Sequence, residues 1–190
     1  MLHALVEYAR RRSLDAEAGF TRKGVHWLIV LGKSGCLHGI VPQQDPDNPK
    51  RLGRTFDKVP HLKFSGDTPM RQFLVDTAGY ALLYAADKPE KKLRAKHEYF
   101  LNLLKEAGKV DPRFRTVFKA LSDPEVREQI CESLASQSKP AKPAENVTFA
   151  IIEEGEPRIL VEDESWHDWW RGFFPTLFKQ EEEPAEAAPC

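Results

Sequence analysis

Few of the residue types that carry chemistry stand in spacings that chemistry requires. Gly32-Lys33-Ser34 has the letters of a phosphate loop. The full motif needs a glycine five positions earlier, where this chain has Trp27 inside an apolar run, and the helix that should follow is missing. These residues therefore read as a hairpin turn. The six histidines show no H-x-x-x-H spacing. His26 and His38 are placed to face each other across that hairpin, where packing or solvent contact is the expected role. Cys36, Cys131 and Cys190 form no C-x-x-C pair. Their odd number and wide spacing argue against a disulfide framework and for a reducing, cytoplasmic compartment. Cys36 is expected as a small buried hydrophobe of a strand. The carboxylates fall into no catalytic pairing. Asp76 is expected to serve structure, for instance by pairing with Arg71. On this reading the chain is not an enzyme and needs no cofactor or metal.

The basic residues are more informative. The chain has 28 Lys+Arg and 29 Asp+Glu, a net charge of −1. Residues 153–190 hold eleven acidic and three basic side chains, a net of −8, which leaves +7 on residues 1–152. A basic body with an acidic end fits a polyanion partner for the body. Basic density peaks from Lys50 to Arg71, where six cations face two aspartates. Lys50, Arg51, Arg54, Lys58 and Lys63 are the candidate phosphate contacts, since a cationic segment can neutralise phosphates without a helix to order it.

The run Ser65-Gly-Asp-Thr-Pro-Met-Arg-Gln72 ends this segment. Thr68 with Pro69 reads as a helix start, which would offer free N–H groups to a phosphate. Gly66 allows close backbone approach. Thr68 and Gln72 would share one side of the first turns. Gln72 carries the donor and acceptor needed to read a base edge, and Arg71 can reach a phosphate or a guanine. The plainer alternative is that Thr68 only caps the helix and Gln72 faces water. Trp166, Trp169, Trp170, Phe173 and Phe174 lie in the acidic segment, so they read as core packing or a protein interface rather than a base-stacking platform.

The elements that must position these residues follow from periodicity. Residues 2–12 read as an amphipathic helix. Val25–Leu31 and Cys36–Val41 form a hairpin, and Thr55–Phe64 holds a possible third strand. A helix is expected from Thr68 through Leu82. Further helices are expected at Lys91–Ala107, Pro112–Leu121 and from Asp123-Pro124 to Ala135. Residues 136–145 read as a linker. Val147–Ile152 and Arg158–Val161 form a second hairpin, followed by a short helix over Trp166–Phe174. The fold class is α+β: a small antiparallel sheet of two hairpins plus a possible extra strand, with a mostly helical middle. Residues 1–178 form one domain, and 179–190 an acidic flexible tail or a link to a further region.

In four places the chain resembles the N-terminal part of the Csd-family large subunit of the type I-C CRISPR interference complex (Cascade). The opening Met1-Leu-His-Ala-Leu-Val-Glu-Tyr8 is similar to the family's first helix. Gly19 to Leu31 is similar to the loop that enters its first strand. Val59-Pro60 through Ser65-Gly66, Pro69, Phe73-Leu74, Asp76 and Tyr80 resembles its most distinctive run. Lys96, His97 and Phe100, then Asn146 to Phe149 and the tryptophan helix, keep the later order. Two positions depart: Thr77 stands where the family usually has an asparagine, and Gln72 where it often has one. Family members are several times longer, so the chain is expected to be a truncated form or a split subunit.

The resemblance implies a non-catalytic subunit that recognises the short duplex motif beside the target (the PAM) and helps to open the duplex there. It implies as partners double-stranded target DNA, a guide-RNA complex with backbone and 5′-handle-binding subunits, and a helicase-nuclease recruited after target binding, with no membrane. Guide pairing, not the protein, would read the target sequence. It also gives Gln72 a position where the family often carries a polar amide. The rival reading is a protein-interaction module that docks on neighbouring subunits without touching DNA.

Overall fold

Two apolar strands lie at the centre. β2 (Trp27–Leu31) is buried at all five positions, and β8 (Asn146–Glu153) is buried from Val147 to Ile151. Continuous burial of this kind belongs to strands covered on both faces. The computed structural model describes residues 17–64, 68–86 and 88–179, and in it β2 and β8 pair in parallel, Trp27 opposite Val147 through Leu31 opposite Ile151. β3 (Leu37–Pro42) pairs antiparallel with β2 as the expected hairpin. Its turn closes through Gly32, whose N–H donates to Cys36 O at 2.9 Å, and Gly35 takes φ +91°, which favours glycine. Along its other edge β8 carries β7 (Asp76–Thr77) and then β9 (Glu156–Ile159), both antiparallel. The two expected hairpins are thus present, and a parallel pair joins them into one mixed sheet.

β1 (Phe20–Val25) and β6 (Arg54–Pro60) form a separate antiparallel ribbon, and β4 (Gln44–Asp45) with β5 (Asn48–Leu52) a small hairpin. The third strand expected at 55–64 is β6.

The helical middle contains α1 (Ala78–Leu82), α2 (Lys91–Ala107), α3 (Pro112–Ser122) and α4 (Pro124–Ala135). α3 and α4 each start at an Asp-Pro step. The Asp111 and Asp123 carboxylates accept from the backbone N–H two residues on, at 2.9 Å each, and proline fills the first helical position. α5 (His167–Phe173) and α6 (Thr176–Lys179) close the described chain.

The expected helix from Thr68 does not form. The Thr68 hydroxyl oxygen accepts from Met70 N at 2.8 Å, Leu74 takes φ +66°, and the first helical residue is Ala78. Phe73, Leu74 and Val75 are all fully buried, and three consecutive buried side chains fit a loop dipping into the core, not one face of a helix. Phe73 is enclosed by Trp170 at 5.2 Å between ring centroids, Phe114 at 5.3 Å and Trp166 at 5.6 Å. The tryptophan cluster therefore packs the core, as expected, with Trp169 half-buried at its edge. Trp170 Nε1–H also donates to Gly19 O at 2.6 Å.

Cys36 is exposed in the hairpin turn rather than buried in a strand. His26 does not meet His38. Its Nδ1 accepts from Asn146 N at 3.0 Å, whereas His38 Nε2 lies beside Gly32. The segment 136–145 contains no helix or strand but is anchored. Ala141 is buried, and the Glu145 carboxylate accepts from Trp27 Nε1 at 2.7 Å. The expected helix at 2–12, Gly66 and the 180–190 part of the tail lie outside the described residues. Among those described, no helix is long and apolar enough to cross a membrane.

Candidate nucleic-acid interface

The five candidate phosphate contacts fall on two successive strands and the residues just after them. β5 carries Lys50 and Arg51, β6 carries Arg54 and Lys58, and Lys63 follows in irregular chain. Gly53 joins the strands at φ +122°, so the chain turns within one residue. Their partners differ. Arg54 is paired with Glu162 and its guanidinium lies 4.7 Å from the Phe56 ring centroid. Lys58 stands 3.8 Å from a Glu17 oxygen. Lys50, Arg51 and Lys63 are exposed and have no carboxylate within ion-pair distance among the described residues. Lys50 also lines a cleft of about 350 Å³ with Gln44, Gln137, Ser138 and Lys139, whose polar groups include no acid.

The base-reading candidates are placed differently from one another. Arg71 forks onto Asp76, Nε to Oδ2 at 2.9 Å and Nη2 to Oδ1 at 2.6 Å. Asp76 is 1% exposed and accepts two more bonds, from Gln72 N at 3.1 Å and Thr77 N at 2.7 Å. This carboxylate therefore ties the 71–77 loop to itself, the structural role expected of it. Gln72 is 9% exposed, and both ends of its amide are taken: Oε1 accepts from Leu62 N at 2.8 Å and Nε2 donates to Leu62 O at 3.0 Å. It closes the chain like one rung of a β-ladder and does not face water. Thr68 is half-exposed, and its hydroxyl keeps its own proton to donate.

The sequence pattern gave no site role to three residues beside this loop, Lys23, Tyr80 and Lys96. Lys23 of β1 reaches in so that Nζ donates to Val75 O at 3.1 Å, and burial pushes its pKa down while Asp76 opposes that shift. The Arg71 guanidinium lies 3.7 Å from the Tyr80 ring centroid, and Lys96 Nζ lies 4.9 Å from the same ring. Lys96 is 8% exposed. The signal for Lys96 was present: it stands on the same side of α2 as His97 and Phe100, where a charged residue is out of pattern. Among the described residues no group of three or more His, Cys, Asp or Glu gathers as a metal site.

The family model of the CRISPR-associated protein Csd1 (Cas_Csd1) matches residues 5–190. That span is nearly the whole chain. This chain belongs to the Csd1 family. No curated protein matches it. Membership makes it a CRISPR-associated protein and agrees with the Csd resemblance carried by the 59–80 run and the tryptophan helix. It also implies work within a multi-subunit complex. In this Csd1 protein the 59–80 run contains the end of β6, the exposed Lys63, the Gln72 clamp and the Arg71–Asp76 fork.

Proposed function

We propose that this chain is the PAM-recognising part of a type I-C Cascade large subunit, non-catalytic, and that it helps to open target DNA at the PAM. The observation that supports this most is the basic edge formed by Lys50, Arg51 and Lys63, three exposed cations that no described carboxylate neutralises, in a member of a CRISPR-associated family. Lys50, Arg51, Arg54, Lys58 and Lys63 contact phosphates and set register. Arg54 and Lys58 contribute less, because each already has an acidic neighbour.

Base reading falls to Thr68, whose hydroxyl is half-exposed, with Arg71 and Gln72 as the residues that hold it in place through Asp76 and Leu62. The chain works with a guide-RNA complex containing backbone and 5′-handle-binding subunits, and a helicase-nuclease is recruited once the target is bound.

The test is duplex binding by the reconstituted complex across PAM variants and salt concentrations. A Lys50→Ala, Lys63→Ala double variant is expected to lower the salt slope by about 0.9 per lost contact and to weaken all duplexes alike. Thr68→Val is expected to reduce discrimination between PAMs. Normal binding by the double variant at every salt concentration would instead favour a protein-docking module.

A further inference from the structure

Buried charges in proteins are normally paired, because desolvating an isolated ion is costly. Lys96 breaks this rule. It is 8% exposed, it stands 4.9 Å from the Tyr80 ring centroid, and no carboxylate among the described residues is within ion-pair distance of it. A cation over an aromatic face gains something from the ring quadrupole, but Tyr80 already serves the Arg71 guanidinium at 3.7 Å. Lys23 adds a third cation, held by Val75 O. Against these three the described residues set one carboxylate in contact, Asp76, and its oxygens are already occupied by Arg71 and two backbone N–H groups. His61 and Lys63 lie on the Lys23 side and add no negative charge. Among the described residues the cluster carries a surplus of two positive charges, with Arg71 and Lys96 at the Tyr80 ring and Lys23 beside Asp76.

We propose that Lys96 and Arg71, which share the Tyr80 ring, together with Lys23 beside Asp76, form a preorganised seat for one phosphate group. Arg71 is fixed in place by Asp76, and its Nη1 has no hydrogen-bond partner among the described residues. Lys23 is fixed by Val75 O, and the Lys96 stem lies buried with its ammonium at the ring. A tetrahedral dianion or a phosphodiester supplies the missing charge and accepts from several donors at once. The proposal rests on the nucleic-acid reading only for the source of the phosphate, a backbone phosphate of the bound duplex; the seat itself stands without it.

The experiment has two arms on the full 190-residue chain. Thermal unfolding is followed against inorganic phosphate, with ionic strength matched by chloride. The wild type is expected to gain about 3–5 °C in Tm for each tenfold rise in phosphate above the Kd. Lys96→Met keeps the apolar stem. It is expected to lose that dependence without losing Tm in phosphate-free buffer, since it removes a buried unpaired charge. Lys23→Met is the second variant, expected to weaken the dependence, and Lys119→Met on the exposed face of α3 is expected to retain it. The second arm measures duplex binding by the assembled complex. A fall of about 0.9 in the salt slope for Lys96→Met assigns the seat to a DNA phosphate. An unchanged slope with phosphate stabilisation intact keeps the seat and makes free phosphate its ligand. A wild type insensitive to phosphate, or a Lys96→Met variant as sensitive as wild type, overturns the proposal.

Discussion

Gln72 has an amide that could read a base, and the fold uses it for something else. Both of its polar ends bond the backbone of Leu62, a buried residue ten positions earlier. Replacing it with an isosteric apolar group would orphan a buried N–H and a buried C=O, and an unsatisfied buried polar group costs about 1–3 kcal/mol. Gln72→Leu is therefore expected to lower stability by about 1–3 kcal/mol in urea melts, and any loss of PAM preference should come only with that loss of stability. A base-reading glutamine would give the reverse: normal stability and altered preference. Residue types alone made the Arg71–Asp76 pair legible, because a carboxylate in an apolar run needs a cation and one lay five positions away. They could not show the Leu62 clamp, because a side chain that bonds distant backbone leaves no periodic trace.

At the scale of elements, helices that bury one regular face were the most legible. Lys91–Ala107 has the bounds that its periodicity predicts, and Asp-Pro steps mark the starts of α3 and α4. The 68–77 loop was misread as helix because Phe73, Leu74, Ala78 and Leu82 satisfy helical spacing while the backbone turns through a left-handed Leu74. Burial drives that loop. Phe73 inserts between Phe114, Trp166 and Trp170, and this tertiary gain outweighs local propensity. Trp170 is fully buried, so Trp170→Ala is expected to cost about 3–5 kcal/mol, and Trp169→Ala, at a half-buried position, less.

Titration should report on the same elements. His97 on α2 places Nδ1 3.1 Å from Tyr80 O, a carbonyl that only accepts, so Nδ1 carries the proton; Nε2 is buried with no partner among the described residues. Burial lowers its pKa below the usual 6.5, and the neutral ring is the folded form. Stability from His97 is then full above pH 6.5 and is lost as pH falls through the lowered value. Asp163 adds a second loss further down. Burial would raise its pKa, but the Ser165 hydroxyl and the Arg113 guanidinium hold it at about 2, so its contribution fades from pH 3.8 towards 2. Urea midpoints should fall in both windows, with His97→Asn flattening the upper one and Asp163→Asn the lower.

Over the whole molecule, the α+β class and both hairpins were legible, but the parallel β2–β8 pair that joins them was not. Its strands are separated by the entire helical middle, and nothing local encodes which distant edge a strand will choose. Three of the five basic residues on β5, on β6 and just after them stand exposed with no carboxylate within ion-pair distance among the described residues. The Lys23–Arg71–Lys96 cluster was not legible, because β1, the 71–77 loop and α2 meet only in the folded chain. On the proposed reading the exposed strand cations supply affinity, and the loop tied down by Asp76 positions the Thr68 hydroxyl.

The most direct test of that account is equilibrium binding of the reconstituted complex to duplexes that differ only in the PAM, at one fixed salt concentration, with and without this chain. With the chain present, one PAM should be preferred, each mismatched base pair costing about 1–3 kcal/mol. Without it, binding should fall to one weak, common level for all duplexes. Equal discrimination in both complexes, or none in either, would contradict the account.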